Sequence, residues 1–340
     1  LPGFETNTDK QSITWNRLVK PTILKYNFMT AAGAAKTGFR LRKAKTRPLL
    51  AKKPSNRGKP MNCKSICLTI SLFCFFSSLA PAQALQLCGK AKQGEILVGH
   101  ADKGESIVFN KQKLRMSPSG EFLIAFGRDD KKTQYLTLTD SQNSSYRVKL
   151  EVSPAAWDIQ NLKGIPPRKV TPSNSDLRAI EKEQSLVRKA QKNDSELANW
   201  QAGFIQPVKG RISGNFGGQR IMNGVKKNPH SGMDIAAPEG TPVKAASDGV
   251  VTLAEPDLFY SGNVIILDHG YGLHTIYAHL SKMDVQPGDV VKKGQVIGLV
   301  GKTGRVTGPH LHWGASLNGV KFNPQSLLNI NKNNDFCFTL

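Results

Sequence analysis

The stretch of residues 262–313 constrains the fold of this chain more than any other part of the sequence. It contains short apolar runs, such as residues 264–267 and 296–300, that are bounded by glycines. Gly-Asp and Lys-Gly pairs between the runs are typical turn signals. Strands of about four to six residues at short spacing, without a long helical period, predict an antiparallel sheet or flattened barrel.

Three histidines and a carboxylate are spaced so that they can converge. Residues 309–312 read Pro-His-Leu-His, and residues 230–234 read His-Ser-Gly-Met-Asp. Side chains alternate between the faces of a strand, so His310 and His312 share a face. His230 and Asp234 would also share a face on a helix, but the prolines and glycine around them favour a loop or strand. If the two segments are neighbouring strands, these side chains face one cleft.

The residue types fit a metal site. A catalytic zinc site uses three protein ligands and leaves a fourth position for water, and two histidines with one aspartate meet that number. The same types also suit a non-haem iron oxygenase, but the surrounding motifs do not support that alternative. We interpret three further histidines, His100, His269 and His274, as surface or structural residues.

The motifs around these residues recur in the order of a known family. They are the His-x-Gly-x-Asp of 230–234, Gly-Asn-Val-Ile-Ile-Leu-Asp-His-Gly of 262–270, Thr-Ile-Tyr-Ala-His-Leu of 275–280, Gly-Lys-Thr-Gly of 301–304 and Thr-Gly-Pro-His-Leu-His of 307–312. Over residues 204–330 the chain resembles the lysostaphin/LytM-like zinc endopeptidases of bacterial cell walls. One departure is Gly314, where many relatives carry an acidic residue that is not a ligand.

The resemblance implies a role for five residues. His230, Asp234 and His312 would be the ligands of one Zn²⁺ per catalytic domain, and His279 and His310 would be unliganded catalytic histidines. Zinc activates a bound water and polarises a carbonyl. We expect His310 to act as the general base toward that water and His279 to stabilise the oxyanion, although the two roles could be exchanged.

The resemblance therefore implies an exported zinc metalloendopeptidase that hydrolyses peptide cross-links in bacterial peptidoglycan. The alternative is a non-catalytic LytM-like cell-wall factor that activates another wall hydrolase. The resemblance associates that role with copies whose ligand positions have changed, whereas all five positions are filled here. The cleaved bond and the oligomeric state are left open by the sequence.

A second informative segment is residues 61–84. Lys64 supplies a positive charge, residues 66–79 form an apolar core, and residues 80–84 read Ala-Pro-Ala-Gln-Ala. This order is typical of a secretory signal peptide, and the core is short for a spanning helix. We expect export to the periplasm, or otherwise to the cell wall or the medium, with no stable membrane insertion after cleavage.

Charge is concentrated at the start of the chain. The net charge is +22, and residues 1–60 carry 14 Lys/Arg against 2 Asp/Glu. We expect Met61 to be the true start, which makes 1–60 a basic extension or upstream sequence. From Leu85 onward the net charge is +9, from 32 Lys/Arg and 23 Asp/Glu. Such a charge suits an anionic polymer such as the cell wall and does not require nucleic acid.

The predicted fold class is mainly β, with an antiparallel catalytic sheet preceded by a small β domain and a connecting helix. Alternation in 134–139 and 146–152 predicts a β-rich domain over 85–165. Residues 166–203 would be a Pro-rich connector and a helix from about Ser175 to Trp200, with Leu177, Ile180 and Val187 on one packed face. The endopeptidase domain follows at 204–330, and a tail at 331–340. The region before the endopeptidase domain would hold the enzyme latent or act as a spacer.

Cysteine usage agrees with export. Three of the five cysteines lie in the signal segment, which leaves Cys88 and Cys337 near opposite ends of the remaining chain. In an oxidising compartment the two could form a disulfide.

Overall fold

The computed structural model describes residues 85–102, 104–192, 195–330 and 337–339. The basic extension 1–60 and the signal segment 61–84, both expected from the sequence, lie outside the described residues. Among the residues that are described, no helix combines the length and apolar character needed to cross a membrane.

Strands dominate the described chain, and two α-helices lie near its middle. The first part contains β1 (Gln86–Cys88), β2 (Ile96–His100), β3 (Ser106–Phe109), β4 (Gln112–Lys113), β5 (Glu121–Ala125), β6 (Thr133–Thr139), β7 (Ser145–Glu151), β8 (Ile159–Leu162), α1 (Pro167–Val170), α2 (Asn174–Ala190) and a 3-10 helix (Asn199–Ala202). The second part contains β9 (Arg211–Gly214), β10 (Gln219–Met222), β11 (Val225–Lys226), β12 (Gly232–Ala236), β13 (Pro242–Lys244), β14 (Gly249–Leu258), β15 (Gly262–Asp268), β16 (Leu273–Met283), β17 (Val290–Val291), β18 (Val296–Val300), β19 (His310–Leu317), β20 (Val320–Phe322), a 3-10 helix (Pro324–Asn329) and β21 (Cys337–Thr339).

The strands form four sheets within the described ranges. The largest has the order β17-β14-β15-β16-β19-β12-β9, with β18 pairing β13 and β16, and β20 pairing β19. Two four-stranded sheets have the orders β21-β1-β2-β5 and β4-β3-β6-β7, and the small sheet has the order β11-β10-β8. The pairs in the large sheet are antiparallel, which confirms the predicted fold class.

The sheet β21-β1-β2-β5 packs on both of its faces. In β2 and β5, Leu97 and Ile124 belong to a hydrophobic core formed by residues between 85 and 152. Their neighbours Val98 and Leu123 belong to the core of the large sheet. This division follows from the alternation of side chains along a strand. This sheet therefore lies between two hydrophobic cores, that of residues 85–152 and that of the large sheet.

The helix α2 is shorter than the sequence predicts. It begins after a capping box formed by Ser173 and Asp176, and it ends at Ala190 rather than near Trp200. The segment that follows is rich in polar, turn-favouring residues, and it is held by tertiary bonds: the backbone N–H of Ser195 donates to Asp268, and that of Trp200 donates to the carbonyl of residue 269. The prediction that the helix continues to about Trp200 is therefore wrong.

The packed face of α2 also differs from the prediction. Ile180 is buried, but Leu177 is 49% exposed. At about 100° per residue, Ile180 and Val187 lie close together around the helix axis, whereas Leu177 lies at least about 60° away. Val187 and Ala190 pack on Leu253 and its neighbours in the large sheet. The inclusion of Leu177 in the packed face was wrong for this reason.

The two ends of the described chain are joined. Cys88 in β1 and Cys337 in β21 occupy paired positions of neighbouring strands and form a disulfide. The segment predicted to be a C-terminal tail thus contains a strand that extends the sheet of β1, β2 and β5.

Removing this disulfide should lower the stability of the folded chain. The bond closes a loop with a sequence separation of 249 residues. Loss of a native disulfide costs about 2–5 kcal/mol, because the unfolded chain gains freedom. We expect the Cys337→Ser variant to lose that much in urea unfolding. In the wild type we expect Cys88 and Cys337 to be alkylated only after reduction. Equal unfolding midpoints for variant and wild type would contradict this prediction.

Candidate metal centre

Two neighbouring strands place the central residues. β12 and β19 are antiparallel, and Asp234 lies directly opposite His312. His230 lies in the loop just before β12. Gly232 between them has no room for a side chain, because a Cβ there would lie 2.5 Å from the carbonyl oxygen of Trp313 and 2.8 Å from the ring of His312. A glycine at this position lets the loop approach β19 closely.

The ligand-type atoms of these three residues converge. His230 Nε2 lies 3.0 Å from Asp234 Oδ1 and 3.0 Å from His312 Nδ1. The third side of the triangle, from His312 Nδ1 to Asp234 Oδ1, measures 2.9 Å. His230 and Asp234 are buried, and His312 is half-buried. The structure therefore brings together the three residues that the sequence predicts as metal ligands.

The donor set fits a cation at the centre of this triangle. His230 Nδ1 lies 2.9 Å from the carbonyl oxygen of Asn215 and donates its proton there. When the His230 ring is neutral, the other nitrogen, Nε2, is an acceptor and directs a lone pair at the carboxylate. Burial lowers the pKa of His312 to about 4, so that ring is neutral near pH 7. One proton on His312 Nδ1 cannot satisfy all three close contacts, whereas a metal ion would satisfy them together.

The second carboxylate oxygen of the site has its own partner. Arg220, on β10, donates from its guanidinium to Asp234 Oδ2, which leaves Oδ1 directed at the two imidazoles. Burial raises the pKa of Asp234, but its close contacts with the ring nitrogens of His230 and His312 outweigh burial and hold the pKa well below its ordinary value. Asp234 is therefore a carboxylate at neutral pH, as a metal ligand must be.

The two other predicted residues lie beside this triangle. The ring of His310 is 4.9 Å from that of His279, and His310 Nε2 is 3.7 Å from Asp234 Oδ1. The ring of His279 is 5.9 Å from that of His312. His279 has a φ of +66°, a backbone conformation that costs a non-glycine residue about 1 kcal/mol or more. All five residues predicted from the sequence therefore line one site.

Backbone carbonyls fix both histidines in the same tautomer. His279 Nδ1 donates to the carbonyl of Thr303 at 2.9 Å, and His310 Nδ1 donates to the carbonyl of Gly308 at 2.8 Å. In the neutral ring each Nε2 is then the free acceptor. Burial, with the neighbouring histidines, lowers the pKa of His279 well below 6.5, so it is neutral at pH 7. A neutral His279 held in this way accepts a proton and donates from Nε2 only after it has done so.

The remaining described histidines lie outside the site. His100 is half-buried at the end of β2, and His274 is fully buried in β16. His269 is also fully buried, with Nδ1 2.6 Å from the carbonyl of Asp248 and Nε2 2.7 Å from Thr275 Oγ1. Burial lowers the pKa of His269 to about 4.

His269 should make the folded chain sensitive to acid. Its pKa is about 4 in the folded state, against about 6.5 unfolded, so the unfolded state binds more protons between these values. Stability is then fully present above pH 6.5 and falls by about 3 kcal/mol as the pH drops to about 4. We expect His269→Gln to flatten this part of the stability curve in urea titrations at several pH values, relative to wild type and His100→Gln. An unchanged slope in His269→Gln would contradict the assignment.

Two supporting residues of the site, Asn215 and Arg220, were not predicted from the sequence. Neither belongs to a motif, and each reaches the site through the fold of the β10 region. The sequence contains only an indirect signal for them, because a buried carboxylate and a metal-ligating histidine both require hydrogen-bonding partners of their own.

These features define the class of the site, a centre of two histidines and one aspartate on an antiparallel sheet, flanked by two further histidines. The profile of peptidase family M23 matches residues 228–324. The chain thus carries an M23 peptidase domain, which confirms the resemblance to the LytM-like peptidases.

Relatives with assigned names match the same part of the chain. The DD-carboxypeptidase/endopeptidase Mpg of Neisseria meningitidis is 44% identical over 136 residues, which are 39% of this chain and 31% of Mpg. The peptidoglycan DD-endopeptidase ShyA of Vibrio cholerae is 46% identical over 138 residues, 39% of this chain and 32% of ShyA. The chain spans about a third of the length of these two relatives.

A solved structure matches a larger share. A Pseudomonas aeruginosa protein assigned to peptidase M23 is 28% identical and superposes with a TM-score of 0.56. The match covers 71% of this chain and 96% of that one. It extends the similarity of fold beyond the M23 domain itself.

Proposed function

We propose that this chain is an exported zinc metalloendopeptidase that hydrolyses peptide cross-links in bacterial peptidoglycan. The observation that carries the proposal is the convergence of His230, Asp234 and His312 within 3.0 Å of one another, beside two unliganded histidines. The relatives named as peptidoglycan DD-endopeptidases support the substrate class.

The chain's own residues would bind the metal and move the protons. His230 Nε2, Asp234 Oδ1 and His312 Nδ1 would hold Zn²⁺, which when bound lowers the pKa of water and polarises a peptide carbonyl. Arg220 keeps the second carboxylate oxygen turned away from the triangle. The carbonyl of Asn215 keeps the free lone pair of His230 on the metal side.

His310 and His279 would share the proton transfers. His310 is half-buried and its Nε2 is 3.7 Å from Asp234 Oδ1, which places an acceptor beside the ligands, as a general base requires. His279 is 7% exposed and starts neutral, so it stabilises an oxyanion only once its ring is protonated. A histidine that has taken a proton can also deliver it to the leaving amine.

The proposed location is outside the cytoplasm, in the periplasm or otherwise in the cell wall or the medium. The support is the order of charge, apolar core and small residues in 61–84. The moderate positive charge from Leu85 onward suits contact with an anionic wall polymer, and we propose no nucleic-acid partner.

Digestion of purified sacculi of defined cross-link type tests the activity. We expect cross-linked dimers to be converted to monomers, a chelator to stop the reaction, and added Zn²⁺ to restore it. Mass analysis of the products identifies the cleaved bond. If no wall preparation is cleaved in a chelator-sensitive way, the proposed peptidase activity is contradicted. The alternative, a non-catalytic factor that activates another wall hydrolase, is then favoured.

Metal analysis of the purified protein tests the cofactor separately. We expect about one zinc per chain by mass spectrometry, as a site with three protein ligands requires. Iron at that stoichiometry, retained after dialysis, would contradict the zinc assignment and favour the oxygenase ligand type.

A further inference from the structure

We propose that Gln160 is a positioning residue for the metal centre, although it lies well before the segment that matches the M23 family. This inference rests on the proposed metal-binding function. Gln160 belongs to β8, which pairs in parallel with β10 and sets Gln160 opposite Arg220. β8 therefore adds a strand beside the residues that support the ligands.

The amide of Gln160 contacts both supports at once. Its Nε2 donates to the carbonyl of Asn215 at 3.2 Å, and its Oε1 accepts from Arg220 Nε at 3.3 Å. The carbonyl of Asn215 also accepts from His230, and Arg220 also donates to Asp234. A carbonyl oxygen has two lone pairs, so it can accept from both. One side chain thus connects the outer partners of two of the three candidate ligands.

The donor and acceptor requirements make the amide specific. The Asn215 carbonyl needs a donor, and the Arg220 guanidinium needs an acceptor. Glutamine offers both in the neutral state. Glutamate would keep an acceptor toward Arg220 but would set a second oxygen against the Asn215 carbonyl, and methionine would supply neither bond.

The segment around Gln160 is held closely against the loop that carries Asn215. The ring of Trp157 packs edge-on against that of Phe216, with centroids 5.8 Å apart. Arg128 Nε donates to the carbonyl of Gly217 at 2.6 Å. Gly217 has a φ of +79°, and a Cβ there would lie 2.2 Å from the Trp157 ring. The position of Gln160 relative to this loop is therefore fixed by packing as well as by hydrogen bonds.

The function of this contact would be to keep His230 and Asp234 oriented before the metal binds. Outer partners of metal ligands set ring orientation and ligand basicity, and their loss costs about 10–100-fold in affinity. Gln160 acts through two such partners, so we expect an effect at the lower end of that range. The M23 domain would then depend on a strand outside it for full metal affinity.

The test uses the full chain with Gln160→Met, which has similar length, and Asn161→Leu as the matched control. Asn161 is exposed on the same strand. Zinc affinity is measured by competition with a chromophoric chelator, and the ligand geometry is read from the visible spectrum of the Co²⁺-substituted protein. We expect Gln160→Met to weaken zinc binding about tenfold and to change the Co²⁺ spectrum, with the control matching wild type.

A double variant separates positioning from general packing. If Gln160 acts through Arg220, the loss in Gln160→Met with Arg220→Lys is smaller than the product of the single losses. If Gln160→Met fails to fold, as judged by thermal unfolding of the metal-free protein, the same comparison is made with Gln160→Glu.

Equal zinc affinity and equal Co²⁺ spectra for Gln160→Met and Asn161→Leu would overturn the proposal. None of these measurements depends on peptidoglycan cleavage. Zinc binding by a wild-type protein that cleaves no wall would contradict the proposed peptidase, while the role of Gln160 would still be decided by the affinities.

Discussion

Replacing Asp234 with asparagine is expected to remove the bound metal and, with it, chelator-sensitive cleavage of peptidoglycan. Asp234 supplies the negative charge among the candidate ligands, and its Oδ1 lies within 3.0 Å of both imidazole nitrogens. Without that charge, the Arg220 guanidinium beside it would repel a cation. Loss of a direct ligand should exceed the effect of losing an outer partner, so we expect more than about a 100-fold loss in zinc affinity.

The measurement is metal content after dialysis, with the zinc affinity and the rate of sacculus digestion in parallel. Asp284→Asn is the control, because it makes the same chemical change at an exposed aspartate away from the site. His230→Ala should behave like Asp234→Asn. Full metal content in Asp234→Asn would contradict its assignment as a ligand.

The parts of this molecule that were predicted correctly depend on local sequence. The runs at 264–267 and 296–300 became strands because glycines bound them and their branched apolar residues suit a buried sheet. The His-x-His pair lies in β19, with both rings reaching the same site, because the period of a strand is two. Asp234 lies on β12, which is the neighbour of β19, as the prediction of one shared cleft required of the two segments.

The parts that were missed depend on contacts between distant segments. Arg220 and Gln160 meet through a parallel pairing of β8 with β10, which no local pattern encodes. The early end of α2 was missed because Asp268 and the chain near it bind the residues that would have continued the helix. The role of residues 337–339 as a strand was hidden because its partner, β1, is far away in sequence.

Replacing His310 with alanine is expected to lower the rate of cross-link cleavage while the metal remains bound. Its Nδ1 is committed to the Gly308 carbonyl, so the ring offers Nε2 as a proton acceptor and is not needed to complete the ligand triangle. General acid–base catalysis contributes about 10²–10⁴-fold, and we expect a loss of that size in the rate. The same loss is expected for His279→Ala, which removes the second proton carrier.

The cleavage rate and the metal content, measured together on these variants, decide whether the proton carriers are distinct from the metal ligands. His100→Ala, which changes a histidine at the end of β2, is the control. The pH profile then separates the two roles, because the rate falls as the pH drops through the pKa of the general base. Burial lowers the pKa of His279 well below 6.5, so if His279 is the base, cleavage should persist below pH 6.5. Equal loss of metal in His310→Ala, His279→Ala and Asp234→Asn would show that all these residues hold the metal site together, and the proposed proton carriers would be wrong.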